Sequence, residues 1–458
     1  MKTISSLLLT LLFTVPLMAQ DGSLSEKELR SIRASFTPGN ETLALMNAIS
    51  NNNIKDLALS RKNRGKVNEY FSDRIDIKGI TDQKSSGRCW LFTGLNMLRV
   101  KVIEKFNLET FKFSENYSFF WDQFEKSNLY LEGIIETADK PLDDRKVEWL
   151  IKHPIGDGGQ WTGVVDIIEK YGLVPSEAMP ESKNSENTSR MRSLIRKKLR
   201  KDALMLRKMI REGAGEQEVR KEKINMLKDV YKMLVLSLGE PPQTFTWQYK
   251  DADGNISEPR EYTPHTFFGE VLDVDLGDYV MFMNDPTRAY GKLYEIEYDR
   301  HMYEGSNWKY INLEIDLIKD FAAASLKDKE AMYFSCDVGK QLDKESGTLD
   351  VLNYNYNDLF GIDFTMTKAG RISTFQSASS HGMSLIGVNI LEDGTIDKWL
   401  LENSWGNESG YQGLLIMTDK WFDEYMFRLV VHKDYVDEKT LEILETKPIV
   451  LPPWDPMY

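Results

Sequence analysis

Cysteine is scarce. The 458 residues hold two, Cys89 and Cys336, too few for a disulfide framework or a cysteine-built zinc site. Histidine is also sparse, with His153, His265, His301, His381 and His432 spread along the chain. No two stand at the His-x-x-x-His spacing of a helical metal site, so a resident metal is not expected. Positive charge is in deficit. The formal net charge is −13, which argues against a nucleic-acid binder working by phosphate neutralisation. Beyond the N-terminus no apolar run is long enough to cross a bilayer. What remains is 41% hydrophobic, enough for a sizeable globular core in two or three domains or one large enzyme with insertions.

The first residues have the pattern of a secretory leader. Lys2 supplies a positive end, Leu7 to Met18 is apolar apart from Thr10, Thr14 and Pro16, and Ala19 is a cleavage position before Gln20-Asp21-Gly22. The reading is a signal peptide over 1–19 and an exported protein, periplasmic or secreted, with no stable membrane insertion after cleavage. Residues 20–64 follow as a polar helical leader.

The next signal is the stretch Gln83-Lys-Ser-Ser-Gly-Arg-Cys-Trp90. A glycine-containing loop delivers Cys89 to a helix start, and Leu91, Leu95, Leu98 and Val102 mark one helical face. A lone cysteine is usually buried and inert. At a helix N-terminus, amides and dipole favour the nucleophilic thiolate. Gln83 stands upstream with a side-chain amide that can serve an oxyanion beside the Cys89 amide. The pattern is close to the Cys-Gly-Ser/Ala-Cys-Trp signature of papain-like enzymes, with Ser86 and Arg88 at two variant positions. That signature requires a distant His and Asn.

Both are present. His381 opens an apolar run reaching Val388, and a second run from Lys398 ends at Asn403-Ser-Trp-Gly406. With Asp393-Gly394 as the turn, the two read as an antiparallel pair that sets His381 beside Asn403. Asn403 then fixes one imidazole nitrogen and the other faces Cys89. Between these ends, Gly156-Asp-Gly-Gly-Gln-Trp161 is either a tight turn or a loop whose backbone meets a ligand. Ser189 to Arg211 is basic and Glu216 to Leu236 mixed in charge, a helical hairpin separated by Gly213 and Gly215. Its basic half reads as a solvated face or a subunit contact. From Thr244 the pattern turns β-like, with strands at Tyr279–Met283 and Ala331–Cys336 around a helix over 312–326.

Taken together, the chain from about residue 65 resembles the bleomycin hydrolase and aminopeptidase C branch of papain-like cysteine peptidases. The nucleophile stretch, Asp157-Gly-Gly-Gln-Trp161, Phe334-Ser-Cys-Asp-Val-Gly-Lys340, Glu402-Asn-Ser-Trp-Gly406, Met417-Thr-Asp-Lys-Trp421 and Leu451-Pro-Pro-Trp-Asp-Pro-Met457 carry the resemblance, in order. It implies an α+β papain-like fold: a helical half over 65–187, a helical hairpin insertion over 188–243, a β-rich half over 244–440 and a C-terminal arm over 441–458. It implies Cys89 as nucleophile, His381 as general acid and base, Asn403 as orienter and Gln83 in the oxyanion hole. Gly158 and Gly159 would line the cleft and meet substrate through backbone, and the Tyr458 carboxylate would hold the substrate's ammonium. It implies peptide substrates, aminopeptidase action without a cofactor, and a homohexamer. Relatives are mostly cytoplasmic, so the leader at 1–19 sets this chain apart. Two other classes stand beside this reading. One is an endopeptidase, amidase or transpeptidase on the same scaffold; the other is a non-catalytic exported peptide-binding protein.

Overall fold

A computed structural model of the chain describes residues 22–457. The expected leader at 1–19 and the terminal Tyr458 lie outside the described residues. The chain divides into two compact units between Ala58 and Leu59. In the first, helices run over Glu26–Ala34, Asn40–Asn51 and Ile54–Ala58. A capping box starts the first of these: Glu28 N donates to Ser25 Oγ, and Ser25 N donates to the Glu28 carboxylate at 2.7 Å.

The second unit is α+β. Its helices include α1 (Cys89–Lys105), α2 (Glu115–Glu136) and α3 (Trp161–Tyr171). Ser114 caps α2, accepting from Tyr117 N at 3.0 Å. The apolar steps in α1 predict one buried face. The structure buries that face and most of the others, including Trp90, Phe92, Met97, Asn96 and Arg99. Position explains it, since α1 packs on both the sheet and α3. Gly94 permits the approach of α3; a Cβ there would lie 2.7 Å from Val164 Cγ2. Two of the buried polar side chains of α1 find partners across the layer, as burial favours. Asn96 donates to Thr81 Oγ1 at 2.8 Å, and Arg99 donates to Gly79 O at 2.7 Å and pairs with Glu402 at 2.5 Å.

The predicted hairpin is α4 (Ser189–Arg211) and α5 (Glu216–Leu238), both packed on α2. Met191, Ile195, Leu199, Ala203 and Leu206 form the buried stripe of α4. Its basic face is more than a solvated one. Arg196 Nε donates to Ile155 O at 2.7 Å, Arg200 to Ile151 O at 3.0 Å, and Arg207 to Thr137 O at 2.8 Å. Ile151 and Thr137 lie at the C-terminal ends of Arg145–Lys152 and α2. Helix ends leave carbonyls without internal partners and carry partial negative charge, so the arginines satisfy groups the helices cannot.

Six strands form the centre of one sheet: β1 (Tyr279–Met283), β2 (Met332–Cys336), β3 (His381–Ile390), β4 (Ile396–Glu402), β5 (Leu414–Thr418) and β6 (Met426–His432). Their spatial order is β1-β6-β2-β3-β4-β5, with every neighbour antiparallel. The helix expected between β1 and β2 spans Ile315–Lys327, and Asn312 instead ends the strand Lys309–Asn312. β3 and β4 form the predicted hairpin. Gly394 takes φ +86° at the turn, and Asp393 accepts from Thr395 N at 2.9 Å. Register sets Ser384 opposite Glu402 and His381 opposite Cys336.

Candidate active site

Cys89 is the first residue of α1 and half-buried. The loop before it is tied from several sides. Arg88 is fully buried; its guanidinium forks onto Glu181 at 2.9 and 2.7 Å, and its Nε donates to Ser86 Oγ at 3.0 Å. Such a bidentate pair fixes direction as well as charge. Ser86 Oγ donates to Gln83 O at 2.6 Å. Asp157 accepts from Gly87 N at 3.2 Å through its carboxylate and from Trp90 Nε1 at 2.7 Å through its carbonyl. A Cβ on Gly87 would stand 2.8 Å from Asp157 Cβ, so the glycine lets this loop close onto the next.

His381, at the start of β3, is buried, and its Nε2 lies 2.8 Å from Asn403 Oδ1 just past the end of β4. The Trp405 ring stacks on the imidazole at 4.8 Å between centroids. With Nε2 engaged by the amide, the imidazole is close enough to the Cys89 sulfur for each to shift the other's proton affinity. Burial pushes the Cys89 thiol up. The hydrogen bond and charge of His381, with the amides of Gly382 and Trp90, outweigh that and hold it below the ordinary cysteine value. Burial likewise pushes His381 down, and its bonds to Cys89 and Asn403 bring it above the ordinary histidine value. Both directions favour a thiolate facing an imidazolium.

Gln83 reaches the same place by a different path. Ser404 Oγ donates to Gln83 Oε1 at 2.7 Å, and Gln83 N donates to Ser404 O at 2.8 Å. Its Nε2 donates to Ser86 O at 2.7 Å. A primary amide has two N–H donors, so one remains for a ligand. Gln83, Cys89, Gly158, Gly159 and His381 line one cavity of about 590 Å³; Asn403 lies buried beneath it.

The two glycines differ. Gly159 is held between Trp90 and His301, for a Cβ there would come within 2.1 Å of His301 Cε1. Gly158 is exposed, and its carbonyl accepts from Lys126 Nζ at 2.7 Å. Expected to offer its backbone to a ligand, Gly158 thus has its carbonyl already engaged. Near the C-terminus the buried Met457 accepts a hydrogen bond on its carbonyl from Arg428, a cavity-lining residue. Arg288 holds Asp455 at 2.5 Å, and Met457 N donates to Asp455 Oδ1 at 2.9 Å. Tyr458 lies outside the described residues.

Several residues of the site escaped the sequence reading. Asp157 and Ser404 sat inside quoted motifs with no role attached. Glu181, the partner of Arg88, carried no local signal at all. Nor did the buried pair of Asp122 and His301, 2.6 Å apart behind Trp90. Burial and the nearby Lys126 hold His301 below its ordinary value despite Asp122.

The chain was compared with known proteins. The model of the Peptidase C1-like family matches residues 23–458. Aminopeptidase G of Lactobacillus delbrueckii subsp. lactis is 40% identical, covering 94% of this chain and 98% of the relative. Bleomycin hydrolase of Homo sapiens is 38% identical over 96% of this chain and 99% of its own length. A crystal structure of pepW from Lactobacillus rhamnosis superposes with a TM-score of 0.93 at 38% identity, covering 96% of this chain and 99% of that one. These findings correct the expected export. The aminopeptidases and bleomycin hydrolases that match nearly the whole chain are cytoplasmic enzymes. A match across nearly the whole body weighs more than a short apolar run behind a single lysine. The fold is papain-like, and the chain belongs to the Peptidase C1-like family as a cysteine peptidase of the bleomycin hydrolase and aminopeptidase C branch.

Proposed function

We propose that Cys89, His381 and Asn403 form the catalytic triad of an aminopeptidase acting on unfolded peptides. The observation that carries the reading is the imidazole of His381, hydrogen-bonded to Asn403 and coupled to the Cys89 thiol, at the wall of the cavity that Cys89 and His381 both line. The Cys89 thiolate attacks the carbonyl carbon of the scissile amide, forming the S–C bond. The free N–H of Gln83 Nε2 and the Cys89 amide, which no helical carbonyl takes, receive the oxyanion. His381 protonates the leaving amine as the C–N bond breaks. It then draws a proton from water, which hydrolyses the thioester. Asn403 holds the ring through both steps.

Gln83 gives a graded test. Gln83→Ala is expected to lower kcat by about 10²–10³-fold, the loss typical of one oxyanion donor, with little change in KM. A fall below about threefold would remove Gln83 from the mechanism.

N-terminal selectivity is assigned to the arm. The support is the seating of Met457 on Arg428, a side chain that lines the cavity. There the Tyr458 carboxylate meets the substrate's free ammonium. Deleting residues 454–458 is expected to shift cleavage from N-terminal residues to internal bonds. The measurement is mass spectrometry of peptide digests with free and N-acetylated termini, and an unchanged exopeptidase pattern would end the assignment. Backbone approach of substrate to Gly158 and Gly159, the division into a helical half, a helical insertion, a β-rich half and an arm, and the homohexamer are parts of the same reading. Light scattering tests the last.

A further inference from the structure

The cavity beside Cys89 is positively charged, although the chain carries a net charge of −13. Five lysine and arginine side chains line it, against the carboxylates of Asp157 and Asp299. Two of the five are paired with carboxylates, and the buried Arg428 is turned to a backbone carbonyl. Arg192 binds Asp157 at 2.7 Å, Lys126 binds Asp122 at 3.0 Å, and Arg428 holds the carbonyl of Met457. Arg196 and Arg300 are different. Arg196 places its Nε on Ile155 O at 2.7 Å, and no described carboxylate makes a salt bridge to it. Burial lowers its pKa, and the flanking Arg192 and Arg200 lower it further; the nearby Asp157 is already bound to Arg192. Arg300 lies over the rings of Tyr298 and Tyr303 at 5.4 and 5.8 Å, with its Nε unpartnered and no described carboxylate in salt-bridge reach.

Uncompensated guanidinium groups in a partly dry cleft attract anions more strongly than the same groups in water. Their forked donors match a carboxylate. We propose that Arg196 and Arg300 form a subsite for an acidic side chain, so that the enzyme selects peptides carrying Asp or Glu near the scissile bond. The inference rests on the peptidase reading above and adds the substrate class. The two arginines bind; they take no part in bond breaking.

The test uses the full-length enzyme and matched pentapeptides with free N-termini, each pair differing only as Glu or Gln at one position. At one position kcat/KM for Glu is expected to exceed that for Gln by about tenfold, the scale of one charge-assisted contact. Raising the salt should shrink this ratio. Arg196→Gln and Arg300→Gln should each lower it, and Arg196→Lys should keep most of it. Arg196→Glu should turn the preference toward Lys at that position, an outcome that a merely damaged fold does not produce. A ratio near one at every position in the wild type, or a ratio unaffected by either Gln variant, would overturn the subsite while leaving the peptidase intact. Failure to cleave any peptide would remove the peptidase reading, and this inference with it.

Discussion

Replacing Cys89 by serine is expected to lower kcat/KM for peptide hydrolysis by about 10⁴–10⁶-fold, the range over which nucleophile replacements in such triads fall. The site is built to make a thiolate. Burial alone raises the Cys89 thiol, and His381 with the amides of Gly382 and Trp90 reverses that. A serine hydroxyl lies many pKa units above a thiol, so the same neighbours leave it protonated. The fold should survive, because the loop is held by Arg88–Glu181 and Asp157 and not by the sulfur. Turnover of an aminoacyl reporter substrate, read beside a thermal melt, separates the two effects. A serine variant keeping more than about a tenth of the activity would exclude Cys89 as the nucleophile.

His381→Ala should be nearly as damaging, about 10³–10⁵-fold in kcat/KM, and it carries a second readout. In the proposed mechanism the active form is thiolate with imidazolium. Activity therefore falls at low pH as Cys89 takes a proton, at a pH below the ordinary thiol value because its pKa is lowered. It falls at high pH as His381 loses its proton, at a pH above the ordinary imidazole value because its pKa is raised. The working window lies between these two limbs, and they belong to the pair. In His381→Ala the imidazole's contribution to Cys89 is gone and burial dominates. Alkylation of Cys89 by iodoacetamide should accordingly need a more alkaline pH than in the wild type. If the alkylation profile stays where it was, the imidazole does not activate the sulfur and the triad reading fails. The double variant with Cys89→Ser should lose little more than either single one, since the two act as a unit.

The legible parts of this molecule are short in sequence. A glycine loop before a helical apolar pattern marked Cys89, and the Asp393-Gly394 turn between two apolar runs marked the β3–β4 pair. Both are decided within about two dozen residues by turn chemistry and periodicity. Where the pattern was read as one buried helix face, the structure buried α1 nearly all round, because a second layer covers the other side. The basic face of α4 misled in the same way. Its arginines look solvated until the helix ends they bind are folded against them.

By itself, the order of residues settled which chemical groups exist, a thiol, an imidazole and a primary amide, and on what local element each one sits. It had no means to say that Gln83 would meet Ser404, 321 positions away, or that Glu181 would meet Arg88 and His301 would meet Asp122. Those pairs are made by packing a helical layer against a sheet, and no periodic signal records them because each partner contributes a single residue. Tertiary structure alone also decided the charge of the cleft: a chain with an excess of carboxylates folded so that five lysine and arginine side chains, against two carboxylates, line the cavity that holds Cys89.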